Sequence, residues 1–534
     1  MAVVLDPPRV AYVVSGDLVR YADLLPSNKG RSSHVHSLVH HLDLLDLSTL
    51  DDGSDEADVD THKRSKPAGS SERERFLAAI RADASTASPP NSDRRRAAVY
   101  LPHPATRQQL TTFHGEPFVD HLTQGKSAQA GVSQPPRKRQ RVVSDTGTSD
   151  SDSNTGSDSD VSRTSHGERT AWVKNQFGLQ DDCPTFDGLE KHVSLIAGAS
   201  ITAADLLATG QADIAIAWDG GRHHAKKHAA SGFCYINDAV LAILALRKPR
   251  KVSVTTTVPR GSGDEATVRK TTIKRVQRVL YLDLDLHWGD GVEEAFHTSA
   301  SVLTLSIHHY APGFFPCYTA SSDSRYGAPG SLGADPGAAG TTINIPLAMG
   351  TSDSSLERVM EATIEPVVEA WQPEMVVVQC GVDGLAADPM AVWNLSAAAY
   401  VTAIQRVLGW KKPTLLLGGG GYDTANAARC WSLITAAALG RYEDTTKRRA
   451  AAPSFEPHTL VDRESVEAKP DDKVQTQSIS LETGVPDHAF WPAYAPHYTL
   501  NVPAGEMIDH NPPAYFDEIH TCLSARIESF TKSS

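Results

Sequence analysis

Cysteine is sparse in this chain: 534 residues contain six, at Cys183, Cys234, Cys317, Cys380, Cys430 and Cys522. None forms a CxxC pair, which argues against a zinc ribbon and a disulfide framework and suits a reducing compartment. Long apolar runs are missing as well. Nowhere do about 18 consecutive apolar residues occur, so no membrane-spanning helix is expected. No basic segment followed by an apolar run opens the chain, so no signal peptide is expected and the protein should be soluble and intracellular. Positive charge is not in excess: the formal net charge is −13, which argues against a general nucleic-acid-binding surface. No internal repeat is found.

What is present is enough apolar material, 40% of residues, for a sizeable core. The length allows two or three average domains or one large domain with insertions. Short apolar runs read as buried strands at Val10–Val14, Asp213–Trp218, Arg278–Leu284, Val302–Ile307, Thr342–Ile345, Met375–Gln379 and Thr414–Leu417. Helical patterns at Val193–Leu207, Asn237–Leu246, Ser355–Trp371, Ser396–Trp410 and Thr424–Leu439 alternate with them. Apolar strands joined by crossover helices predict an α/β fold: a single large domain with a mostly parallel sheet flanked by helices. Polar insertions interrupt it at about 51–98, 125–170, 253–274 and 442–481, although Arg73–Ala84 in the first can form a helix. The second holds PPRKRQR (Pro135–Arg141), similar to a nuclear import signal or equally an ordinary solvated charge run. A Ser/Asp repeat follows at Ser144–Asp160, open to acid-directed phosphorylation. Its few apolar residues cannot offset the entropy of ordering.

One stretch concentrates chemistry. In LYLDLDLHWGDG (Leu280–Gly291), Asp283, Asp285 and His287 alternate with leucines. Residues two apart on a strand share a face, so three metal-binding side chains would line up there. In open parallel sheets, ligands bind beyond the carboxyl ends of the strands. Here DIAIAW runs into DGGRHHAKK, LTLSI into HHYAPGFFP, VVVQ into CGVDGLAADP and TLLL into GGGGY. The glycines before Tyr422 are not followed by a Lys-Ser/Thr pair, so a phosphate loop is not expected.

GGRHHA, SGFCYINDAV, YLDLDLHWGDGVEEAF, PGFFP, GVDGLAADP and LGGGGY follow one another as in the class I zinc-dependent histone deacetylases. The resemblance extends over almost the whole chain outside the insertions and implies the arginase/deacetylase fold. It implies metal ligands at Asp285, His287 and Asp383, with Zn²⁺ as the cofactor and Fe²⁺ compatible with the same donors. It implies tandem acid/base histidines, His223 partnered by Asp283 and His224 by Asp290, and an oxyanion donor at Tyr422. Gly232, Phe233, Phe315 and Met390 would line a tunnel for the acyl-lysine, with Asp182 at its rim. Cys234 beside the tunnel is read as a packing residue, with a covalent role also considered, and Arg31 matches an arginine beside an inner cavity. A structural K⁺ would be held by Asp283, Asp285, His287, Ser306 and Ile307, and a second cation near Phe296, Ser299, Val302 and Thr342.

The implied activity is hydrolysis of N6-acetyl-lysine in histone tails or other nuclear proteins, a cohesin subunit among them. Chromatin regulation and transcriptional repression follow, in the nucleus and also the cytoplasm, without direct nucleic-acid or membrane contact. Four positions depart from the pattern: Trp288 for a histidine, Asp181 for a rim aromatic, Arg222 for Trp, Pro or Tyr, and Pro389 for an arginine that binds inositol phosphate in corepressor-bound relatives. The last points to the subgroup similar to histone deacetylase eight and the fungal Hos type, which requires no corepressor. An acetylpolyamine deacetylase or a binuclear arginase-type hydrolase on the same fold, and a non-catalytic repressor scaffold, are the alternatives.

Overall fold

A computed structural model describes residues 7–50, 71–83, 94–124, 176–259, 265–317, 340–444 and 478–533. Its strands in chain order are β1 (Val10–Val13), β2 (Leu45–Asp46), β3 (Ala97–Tyr100), β4 (Ile214–Ala217), β5 (Arg250–Pro259), β6 (Glu265–Lys274), β7 (Val279–Asp283), β8 (Val302–His309), β9 (Thr342–Leu347), β10 (Met375–Gln379) and β11 (Thr414–Leu417). Nine of them form one sheet in the order β2-β3-β1-β4-β11-β10-β7-β8-β9. Every pairing within it is parallel.

The apolar runs become two-sided strands because helices cover both faces. In β7 the pleat sends Leu280 and Leu282 into one core, with Leu303, Leu305, Val376, Val378 and Leu416. Val279 and Tyr281 enter the other, with Val302, Val377, Leu415 and Leu417. The helices Leu189–Ala208 and Asp238–Leu246 pack in the second core; Ala397–Gly409 and Thr424–Ala438 supply the first. Asn237 and Asp423 begin their helices by accepting N–H groups of the first turn.

Two expectations change, and the helix allowed for within 51–98 is found. The helix over Ser355–Trp371 is broken by a π turn at Met360–Ile364, just ahead of Pro366, whose missing N–H cannot serve an α-helical bond. The interval 253–274 belongs to an antiparallel hairpin of β5 and β6, its runs of Val and Thr suiting strands more than loops. Within 51–98, the helix Glu72–Ala79 carries a capping box at Ser71 and Glu74 and buries Phe76 and Leu77 in the main core. All of 125–170 and most of 442–481 lie outside the described residues.

Candidate active site

Four neighbouring strands, β4, β11, β10 and β7, deliver the chemistry from their carboxyl ends. β7 stops at Asp283, so Asp285 and His287 stand in the loop beyond it rather than on one continuous strand face. The neighbouring β10 ends at Gln379 and brings Asp383 alongside them. Donor atoms of Asp285, His287 and Asp383 all lie within 4.8 Å of one another, and all three residues are buried.

Each carboxylate is pinned from outside the cluster. Asp285 Oδ2 accepts from Gln379 Nε2 (2.7 Å) and the Gly420 N–H (2.8 Å), while Oδ1 accepts the His287 N–H (3.0 Å). Asp383 Oδ1 accepts the Leu286 N–H (2.9 Å), and its Oδ2 faces His287 Nδ1 at 2.9 Å. Two glycines make room for this. A Cβ on Gly381 would lie 2.0 Å from Asp285 Oδ2, and one on Gly420 would lie 2.2 Å from Asp383 Oδ2. Burial opposes ionisation of both acids. Asp285 is nevertheless held well below the usual range by His223, His287 and Gln379, whereas burial and the charge of Asp285 push Asp383 up. Burial also lowers His287, but its bonds to the two carboxylates outweigh that and raise it to about 10. The donor set, one imidazole and two carboxylates gathered without a fourth protein ligand among the described residues, fits Zn²⁺ with open positions.

The tandem histidines follow β4 and are held separately. His223 Nδ1 meets Asp283 Oδ2 at 2.7 Å, and that oxygen also accepts the Tyr281 hydroxyl at 2.7 Å. His224 Nδ1 meets Asp290 Oδ1 at 2.8 Å, and Lys226 Nζ sits 2.6 Å from the other Asp290 oxygen. The two rings are 3.9 Å apart between centroids. Burial lowers both, but the charges of Asp283 and Asp285 raise His223 to about 9, and its charge in turn helps burial hold His224 at about 3. His224 is thus the neutral ring, with Nδ1–H given to a carboxylate and Nε2 left as the acceptor.

Tyr422 lines one cavity with His223, His224 and Asp285. Its N–H is donated to Asp388 Oδ2 (2.7 Å), and the other Asp388 oxygen accepts the Met390 N–H (2.9 Å). Burial and the charges of Asp383 and Asp285 raise the phenol well above 10, so it stays a donor. Gly232 and Phe233 both take left-handed backbone angles, φ 54° and 62°. A Cβ at Gly232 would fall 2.5 Å from His224 Cδ2 and 2.8 Å from Phe315 Cε1. Phe315 stands edge-on to His224 at 4.7 Å and the Phe233 ring lies 5.9 Å from Tyr422. Asp182 turns inward, accepting the Gly232 N–H at 2.7 Å. Cys234 is buried and its thiol is pushed up to about 12 by that burial, which makes it a packing residue and removes a thiolate role.

Several partners escape the sequence. Gln379, Lys226 and Asp388 are polar residues at strand ends or in turns and Tyr281 lies inside β7, where only their contacts show what they hold. Phe314, not Phe315, stacks on His287, at 5.1 Å and 11°. Trp288 donates Nε1–H to Glu293 Oε2 at 2.8 Å, which accommodates the departure from histidine.

An Asp-His-Asp donor set at parallel strand ends, served by two carboxylate-held histidines, is the arrangement of a metal-dependent hydrolase of the arginase/deacetylase fold. The histone deacetylase domain model matches residues 72–256 and 266–438, and the chain belongs to that family. It is 30% identical to histone deacetylase 8 of Danio rerio over 431 residues, 81% of this chain and 85% of that protein. It is 34% identical to histone deacetylase 8 of Xenopus tropicalis over 353 residues (66% and 76%) and 34% identical to human histone deacetylase 1 over 345 residues (65% and 56%). The class I resemblance and the expected enzyme class, a hydrolase acting on acetyl-lysine, stand on this membership.

Proposed function

We propose that the chain is a zinc-dependent protein lysine deacetylase in which Asp285, His287 and Asp383 hold the metal. The observation that carries this is the pairing of that buried donor set with His223 and His224, each fixed through Nδ1 by its own carboxylate. Asp285, His287 and Asp383 would hold a divalent ion, which would supply Lewis-acid chemistry to the acyl carbonyl and the attacking water. His224, neutral and aimed by Asp290, takes the proton of the attacking water and returns it to the lysine amine as the C–N bond breaks. Tyr422 gives its O–H to the oxygen that gathers negative charge. His223 lies beside Asp283 and balances the buried charge. Gly232, Phe233 and Phe315 flank the acyl-lysine methylenes, and Met390 and Asp182 belong to the rim, Asp182 by shaping the Gly232 loop.

The family resemblance extends the proposal. Fe²⁺ is an alternative to Zn²⁺ in cells, and K⁺ fills the site of Asp283, Asp285, His287, Ser306 and Ile307. Acetylated histone tails and other nuclear proteins, a cohesin subunit included, are the substrates, with transcriptional repression as the outcome and the nucleus as the location. The deciding experiment offers acetyl-lysine peptides and acetylspermidine to the purified protein, with and without a zinc-binding hydroxamate. Hydroxamate-sensitive release of acetate from the peptides is expected. Preference for acetylspermidine would favour the polyamine alternative, and two bound metal ions per chain would favour an arginase-type enzyme.

A further inference from the structure

Arg222 is not used by the chemistry above, and its surroundings are unusual. The residue is only 5% exposed. Its Nε is buried without a hydrogen-bond partner, and among the described residues its guanidinium makes no hydrogen bond or ion pair; only its backbone N–H is engaged, by Asp238 Oδ1 at 2.7 Å. The two acids whose charge it influences are occupied elsewhere. Asp238 Oδ2 accepts from Ser200 Oγ (2.5 Å) and the Gly221 N–H (2.9 Å), and Asp219 is paired with His36 Nε2 at 2.9 Å. A buried, unpaired cation is costly unless something supplies an anion.

A second buried guanidinium lies near it. Arg31 donates Nη1–H to the Gly421 carbonyl (2.8 Å) and lies over the Trp431 ring at 4.8 Å. Burial and then the charge of Arg222 lower it to about 10. Arg222 lines the same cavity as His223, His224, Cys234, Gly420 and Tyr422. Arg222 therefore belongs to the lining of the cavity at the reaction centre and is almost wholly shielded from solvent. An acetyl group brings it no charge before cleavage.

We infer that Arg222 forms a carboxylate subsite at the inner end of the acyl pocket, and that the enzyme hydrolyses lysine acylated by a short dicarboxylic acid, of the malonyl or succinyl class. The inference rests on the deacylase reading of the site. A guanidinium matches a carboxylate with two parallel N–H donors, and the acyl chain carries that carboxylate past the reacting carbonyl. The reaction is the same hydrolysis: water adds OH to the acyl carbon, the C–N bond breaks, and the proton goes to the lysine amine, leaving a free dicarboxylate.

The test uses the full-length, metal-loaded enzyme and one peptide sequence bearing acetyl-, malonyl-, succinyl- or succinamoyl-lysine, the last replacing the terminal carboxylate by a neutral amide. Wild-type kcat/KM for succinyl is expected to exceed that for succinamoyl by roughly tenfold or more, since a built polar site rejects an analogue that cannot pair with it. That ratio should collapse in Arg222→Met and survive in part in Arg222→Lys. It is read within each protein, so a general loss of activity cancels, and the wild-type ratio needs no variant to fold. A wild-type ratio of one or less, or a ratio unchanged in Arg222→Met, overturns the inference. Inhibition by free succinate or acetate without hydrolysis of malonyl- or succinyl-lysine also overturns it, placing a released carboxylate at Arg222 instead. Failure on acetyl-lysine itself would strike the deacylase reading, which separates the two.

Discussion

Gly420→Ala is the sharpest test of how the metal donors are held. The glycine has a backbone conformation any residue can adopt, so the cost of a methyl group there is purely one of space. That Cβ would lie 2.2 Å from Asp383 Oδ2, 2.5 Å from Asp383 Cγ and 2.9 Å from Asp285 Oδ2. Restoring ordinary contact moves the Asp383 carboxylate by roughly 1 Å, the scale of misplacement that costs about 100-fold in rate. Asp383 cannot move freely, because Oδ1 is tied to the Leu286 N–H and Oδ2 faces His287. The shift would also disturb the Gly420 N–H bond to Asp285. We expect metal affinity to fall by about 10- to 100-fold, as when groups supporting a metal ligand are lost, and kcat/KM to fall by about 100-fold. Equilibrium titration of the apoprotein with Zn²⁺ and Co²⁺ reads the first, and peptide deacetylation at saturating metal the second. Gly409→Ala is the control, since a Cβ there meets nothing within 4 Å. Wild-type metal binding and turnover in Gly420→Ala, with the protein folded, would refute the packing argument.

Three further outcomes follow from the same contacts. Tyr422→Phe removes one hydroxyl donor and should lower kcat by about 100- to 1,000-fold with metal content unchanged; a kcat within experimental error of wild type would remove Tyr422 from the oxyanion role. His114 accepts the Asn237 N–H at Nε2 (3.0 Å) and gives Nδ1–H to the Lys226 carbonyl (3.0 Å), so its ring must be neutral, and burial lowers it to about 4. The unfolded chain then binds the extra proton first, so stability is complete above about pH 6.5 and declines toward pH 4, by up to roughly 3 kcal/mol from this group. Urea unfolding at a series of pH values should show a shallower decline in His114→Gln; identical slopes would contradict it. Deleting Gln129–Ser165 should leave peptide deacetylation intact while altering the distribution of the protein between nucleus and cytoplasm, seen by imaging a tagged chain; loss of folding on deletion would show that the segment supports the domain.

How far the sequence could be read follows from the range of the interactions involved. Seven of the nine strands of the central sheet were legible because they are buried on both faces, so apolar runs such as Val376–Val378 and Leu415–Leu417 announce themselves; the short, half-buried β2 and β3 were not. The hairpin of β5 and β6 was not, since Lys and Arg among its Val and Thr residues break the apolar run by which the buried strands are recognised. The cluster of Asp285, His287 and Asp383 was suggested by motif order more than by alternation. The pleat that suggested three residues on one face ends at Asp283, and the third donor, Asp383, comes from the neighbouring strand β10. Least legible were the groups that hold the functional ones. Gln379 differs from any strand-end glutamine only because Asp285 Oδ2 lies 2.7 Å from its amide, and Lys226 only because it takes the second oxygen of Asp290. Such roles depend on the register between strands distant in sequence, which no single segment encodes. Arg222 shows the converse: its departure from the family pattern was visible at once, but its missing partner could be seen only when the cavity beside His223 was assembled around it.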